Sequence, residues 1–195
     1  PWSGSFIVGA VLALAAAAAV GMALEILIFR RLYHRDHMDQ VLATFGLILF
    51  FNELVLMVWG PAGMSIAVPS WLAGQVTIIP GVPYSAYRLA VLLAGLAAAA
   101  FLYVLVSRTR TGMRIRAGAS DRQMAEALGV DIRLLFTGIA GLGAALAALA
   151  GLLAAPLRSV HAGMGEDILV LAFVVVVIGG IGSIRGAFVA ALGVG

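Results

Sequence analysis

Four stretches of this chain contain no charged side chain at all: 3–24, 89–107, 134–157 and 168–184. Each is close to the roughly 17 to 25 apolar residues that a helix needs to cross a bilayer. Inside a bilayer every backbone N–H and C=O must be paired within the protein, so only helices or closed barrels are possible. Runs such as ALAAAAAVGMAL and AALAALAGLLAA lack the polar–apolar alternation of barrel strands. The expectation is an all-α polytopic membrane helix bundle. Composition agrees. The chain is 63% hydrophobic and 11% charged, whereas soluble domains are about one-quarter charged.

The pattern predicts helices at about 4–28, 41–59, 85–106, 134–155 and 168–182, with a partial sixth starting near Ala187. Residues 1–195 are expected to form a single transmembrane domain. Its apolar last residues and non-initiator Pro1 suggest further helices before and after. A cleaved leader is a poor fit, because the start lacks a basic region. The chain has no cysteine, which excludes disulfides and thiolate metal sites.

Orientation follows from the arginines, which make up all twelve basic residues. Arg30, Arg31 and Arg35 follow the first helix. Arg108, Arg110, Arg114, Arg116, Arg122 and Arg133 lie between the third and fourth, and Arg185 follows the fifth. The positive-inside rule then places loops 29–40 and 107–133 in the cytoplasm, with Arg88 and Arg158 outside. The outer connection 60–83 is rich in Gly and Pro, with a short interfacial helix expected around Ser70–Gln75. Trp59, Trp71, Tyr84 and Tyr87 sit where an aromatic belt belongs.

Small residues dominate the fourth helix (GIAGLGAALAALAG from Gly138), allowing close helix packing. Gly179, Gly180, Gly182 and Gly186 interrupt the fifth and predict a tight helix–helix turn. The GGIGSIRG sequence lacks the lysine and spacing of a nucleotide-binding loop. Asn52 and Glu53 lie deep in the second helix, where polar groups are costly and face a bundle interior or a wet path. They are candidates for a translocation route or for structural bonding. Glu25, near the arginines, is expected to snorkel to the interface. His34 and His37 beside Asp36 and Asp39 read better as a solvated loop than as a metal site. No nucleophile–base–orienter constellation is present, and neither a cofactor nor a nucleic-acid partner is expected.

The loop 107–133 carries the most specific signal. Ser120 as N-cap with Gln123 three residues on forms a capping box, Asp121 complements the helix dipole, and Gly129 is a natural stop. Met124, Ala127 and Leu128 give the short helix an apolar stripe. Two turns do not persist alone in water, so the helix must rest on the bundle or on a partner, and the arginines favour an anionic membrane surface.

At this loop the chain resembles the LivH-type permeases of bacterial branched-chain amino acid ABC transporters. The resemblance runs from Ala23–Arg31 through LATFGLILFFNELVLMVWG, then RTRTGMRIRAGASDRQMAEALGVDI, to VVVVIGGIGSIRGAFVAALG. Its most specific parts are the Arg-Thr-Arg-x-Gly start at 108–112, D-R-x-M-A-x-x-L-G at 121–129 and GGIGS at 179–183. Arg185 stands where many relatives have proline. The resemblance implies an inner-membrane importer subunit, without enzymatic activity of its own. It would pair with a homologous LivM-like permease, bind two cytoplasmic ATPases and receive substrate from a periplasmic binding protein. It also implies that 121–129 couples to an ATPase, with Ser120, Asp121, Arg122, Gln123, Met124, Leu128 and Gly129 as the coupling set and Met124 and Leu128 as its contacts. Leucine, isoleucine and valine are the implied substrates. Urea or short amides share the architecture, and an ion-coupled carrier using Glu53 is a further alternative.

Overall fold

The computed structural model describes residues 6–33, 35–66, 74–79, 82–180 and 182–194. The first span is α1 (Phe6–Leu24), which runs without a break into a π-helical segment, Glu25–Phe29, and the short α2 (Arg30–Leu32). After a turn comes α3 (His37–Trp59). It starts four residues earlier than the hydrophobic pattern suggests, because its first turn is polar. The Gln40 side chain donates to the Leu32 carbonyl at 3.1 Å, which satisfies an end of the preceding helix.

The outer connection contains a two-stranded antiparallel hairpin, β1 (Gln75–Ile79) and β2 (Val82–Ser85). The sequence reading missed it, and most of the interfacial helix expected around Ser70–Gln75 lies outside the described residues. Gln75 itself belongs to β1. The strands are short, and the Gly and Pro residues around them hide the strand pattern.

The second half contains α4 (Ala86–Arg108), α5 (Arg110–Ser120), α6 (Arg122–Ala127), α7 (Ile132–Ala154), α8 (Met164–Gly179) and α9 (Ile184–Val194). Among the described residues, four helices are long and apolar enough to cross a membrane: Val8–Leu32, Met38–Trp59, Ala86–Arg108 and Ile132–Ala154. At 16 residues α8 is shorter. It begins at Met164 rather than at 168 because Gly163, with φ +91°, turns the chain. Glu166 and Asp167 then fall in the first turn, where acidic groups complement the dipole. The molecule is an α-helical, multi-spanning bundle with four clear apolar spans and shorter helices.

The main packing contact joins α1 to α7, and it depends on small residues. A Cβ on Gly21 would lie 2.9 Å from the Ala140 carbonyl oxygen, and one on Gly141 would lie 2.7 Å from Met22 Cγ. Close approach of this kind is what small residues provide where lipid offers no hydrophobic drive. Helices α8 and α9 form a second pair. Gly180 and Gly182 turn the chain at φ +84° and +86°, and Ser183 Oγ accepts from Gly186 N at 3.0 Å. A Cβ on Gly186 would fall onto the Gly179 carbonyl. The glycine-built turn read from the sequence is therefore present.

Few side chains are buried, and the apolar faces of the spans are largely exposed in the isolated chain, as suits helices solvated by lipid. Of the aromatics assigned to the belt, Trp71 and the Tyr84 side chain lie outside the described residues, and Tyr87 is buried. It is 2% exposed and its hydroxyl donates to the Leu153 carbonyl at 2.8 Å, so it fastens α4 to the end of α7.

Candidate functional site at the arginine-bearing end

The polar segment between α4 and α7 is two helices rather than a loop with one. Thr109 breaks from helical geometry at φ −104° and ψ 159°. Its hydroxyl donates to the Leu105 carbonyl and accepts from Gly112 N, so one side chain closes α4 and opens α5. Gly112 is required at this corner, since a Cβ there would run into the Val106 and Leu105 carbonyls. Arg116 also donates back to the Val106 carbonyl. The Arg-Thr-Arg-x-Gly pattern is thus a tight helix–helix corner.

The capping of the next helix differs from the sequence reading by one residue. Ser120 is the last residue of α5, and Asp121 is the N-cap of α6. Asp121 Oδ1 accepts from Met124 N at 3.0 Å, and no capping box with Gln123 is formed. Both Ser and Asp cap well, and the helical sequence before Ser120 hid the boundary. The far end agrees with expectation. Val130 N bonds the Ala125 carbonyl at 3.0 Å and Gly129 N bonds that of Glu126 at 2.9 Å, with Gly129 at φ +83°. This is a complete Schellman motif. Asp131 then caps α7 through Leu134 N at 3.1 Å.

These two caps satisfy both ends of α6, although it has only six residues. One side of it is inward: Ala125 is 3% exposed. Met124 and Leu128 are on the outside, 59% and 77% exposed, and Gln123 is also exposed. Arg122 reaches back to the bundle, its guanidinium carbon 4.5 Å from the Tyr33 ring centroid and 4.5 Å from that of Phe136.

Glu25 is placed differently from the expectation that it snorkels. It is 3% exposed and accepts hydrogen bonds from the Tyr33 hydroxyl at both oxygens, 3.0 and 2.9 Å. The π-helical turn and the contact eight residues along gave no periodic signal by which to find this. Close by, Arg30 Nη2 donates to Thr137 Oγ1 at 3.1 Å, tying the first span to α7. Burial, then the Glu25 hydrogen bond and charge, push the Tyr33 hydroxyl up to about 12, against an opposing pull from Arg122 and Arg30. The phenol therefore stays a donor at neutral pH.

Asn52 and Glu53 have separate environments. Asn52 Nδ2 donates to Glu166 Oε1 of α8, a partner 114 positions away that sequence spacing could not indicate. Glu53 is on the exposed side of α3, with no hydrogen bond or ion pair found among the described residues. Val55 and Trp59 share the Asn52 face of α3 and line a cavity of about 370 Å³ with Met64, Val160 and His161. The paired backbone bonds between Met64 and Val160, 2.8 Å each, close its side. Of the histidines weighed for a metal, His34 and the His37 side chain lie outside the described residues.

Long apolar spans, a glycine-jointed helical pair and a capped helix displayed at the arginine-bearing end define a polytopic α-helical membrane protein. Its sequence gives a narrower placement. The chain belongs to the branched-chain amino acid transport system / permease component family, which it matches over residues 2–195. It is 28% identical over 189 residues to the high-affinity branched-chain amino acid transport system permease protein LivH of Escherichia coli strain K12, covering 94% of this chain and 61% of that one. BraD, the corresponding permease protein of Pseudomonas aeruginosa, is 28% identical over 179 residues, or 89% of this chain and 58% of its own length. LivH of Salmonella typhimurium strain LT2 gives 28% over 181 residues, 90% and 58% respectively. The chain thus spans about three-fifths of the length of these relatives. No solved structure is a significant match.

Proposed function

We propose that this chain is the transmembrane permease subunit of an ATP-driven importer of branched-chain amino acids in the bacterial inner membrane, and that α6 is the element by which separate ATPases drive it. The observation that carries the reading is α6 itself. A six-residue helix is capped at both ends and seated by Ala125, yet presents Met124 and Leu128 outward. Exposed adaptable apolar side chains on a rigid support suit a groove on a partner. The family and the names of the relatives supply the substrate class and the ABC context.

In this reading residues 107–133 are the coupling segment of a single transmembrane domain. The cytoplasm is on the arginine-bearing side, which puts loops 29–40 and 107–133 there and agrees with the positive-inside bias. With α8 as a shorter fifth span and α9 beginning a sixth, a homologous permease would cover the open apolar faces. A periplasmic binding protein would deliver substrate at the Met64–Val160 side. The cavity there is mostly apolar and lies on the Asn52 face, which suits a branched side chain with few polar contacts. Asn52 and Glu53 are the candidate polar members of the path. ATP binding and hydrolysis would occur on the partner ATPases, and this chain would supply only the alternating route.

The test is a pull-down of the ATPases with the full permease complex, comparing the parent with Met124→Asp plus Leu128→Asp after equal membrane insertion is confirmed. Selective loss of the ATPases is expected. Undiminished association would remove α6 as the docking element.

A further inference from the structure

Anchoring α6 to the bundle needs only an apolar seat, and Ala125 supplies one. The contacts of Arg122 go further than that. Its guanidinium lies over two rings, Tyr33 and Phe136, whose centroids are 5.6 Å apart with planes at 48°. Each ring face attracts the cation. Phe136 belongs to α7 and Tyr33 follows the first span, so this one side chain ties α6 to both. Tyr33 extends the contact inward through its hydroxyl, which both Glu25 oxygens accept. Glu25 in turn opens the π-helical segment, a form that recurs where helices serve a function.

The inner end of this chain of contacts also holds an unsatisfied donor. A buried carboxyl must keep hydrogen-bond partners. Arg30 N bonds the Glu25 carbonyl oxygen across the π-helical turn, which places the two residues one turn apart. The Arg30 Nε is buried and unpartnered. Were Tyr33 drawn away, the Glu25 carboxyl would need another donor, and Arg30 is the candidate on its own helix. Coupling between distant sites requires an element with two arrangements, and a carboxyl exchanging Tyr33 for Arg30 would be one.

We propose that Arg122, Tyr33 and Glu25 are positioning residues for transport, relaying the displacement of α6 to the π-helical turn of the first span. The relay rests on the docking reading of α6 and adds its inward half. Arg122 acts as the handle, the Tyr33 ring and hydroxyl as the link, and the Glu25 carboxyl as the switch between Tyr33 and Arg30.

The experiment uses the full transporter with its ATPases, reconstituted in vesicles. It measures ATPase association, ATP hydrolysis, and leucine uptake per ATP hydrolysed. Tyr33→Phe keeps the ring and removes only the hydroxyl. It is expected to retain bound, hydrolysing ATPases while uptake per ATP falls by about tenfold, within the range that such coupling mutations produce. Arg122→Ala is expected to lower the same ratio, and Arg122→Lys, which keeps a cation over the rings, to restore most of it. The double variant Arg122→Ala/Tyr33→Phe should be no worse than the worse single one, as members of one chain are not additive. Unchanged uptake per ATP in Tyr33→Phe, or losses that multiply in the double variant, would overturn the relay while leaving docking intact. ATPases that fail to bind even the parent would instead overturn the docking reading, and the relay with it.

Discussion

Asp121 and Tyr33 each do work that their neighbours cannot replace. Asp121 satisfies an orphan N–H of α6, and losing such a cap costs about 1 kcal/mol. Asp121→Ala is therefore expected to speed amide exchange at Met124 by several-fold, whereas Ser120→Ala, at the end of the preceding helix, leaves it unchanged. Equal effects from both would return the cap to Ser120. Tyr33 gives a pH signature. Its hydroxyl is raised from 10.0 to about 12, so the stability it adds is complete below pH 10 and is lost as pH rises from 10 to 12. The difference in unfolding between parent and Tyr33→Phe should be constant from pH 7 to 9 and shrink across that alkaline window. A difference that grows there would contradict the protonated, hydrogen-bonded phenol. Single residues were also the least legible scale. Asp121 was recognised as favourable at a helix start but placed one position inside it. The partners of Glu25 and Asn52 depend on a π-helical turn and on a contact 114 positions away, neither of which leaves a local pattern.

Helices were far more legible, since charge-free length is a direct consequence of the bilayer. Every expected segment holds a helix within a few residues, four of them long and apolar enough to span, and the errors lie where a polar first turn extends a helix, as at His37 and Met164. The second helix of the 107–133 segment was hidden because α5 is arginine-rich, and its boundaries depend on Thr109 and Gly112 rather than on hydrophobicity. Helix pairing rests on glycine. Gly141→Leu would overfill the α1–α7 contact at Met22, at a cost of about 1 to 3 kcal/mol. It is expected to lower the thermal midpoint of the purified complex, and an unchanged midpoint would argue against this pairing. Gly186→Ala places a methyl on the Gly179 carbonyl and is expected to prevent the α8–α9 pair from closing. That can be read as loss of a disulfide between cysteines introduced across the two helices.

For the whole molecule, the open features are as informative as the packed ones. Helix α3 has no extensive contact with another described element, none of its apolar window is buried, and it carries Glu53, which has no hydrogen bond or ion pair among the described residues. In a membrane such a face and such a group call for protein neighbours. The absence of cysteine makes sidedness directly testable. A single cysteine at Ile115 should react with an impermeant thiol reagent only from the cytoplasmic side, and one at Ala62 only from outside. The reverse pattern would invert the topology and remove α6 from reach of any ATPase. The most direct test of an ATP-driven permease is leucine uptake by the full protein assembled with its partners in sealed vesicles, energised either by ATP on the ATPase side or by an ion gradient alone. Uptake that requires ATP and is abolished by Met124→Asp plus Leu128→Asp is the expected result. Uptake driven by the gradient without ATP, unaffected by those substitutions, would contradict it.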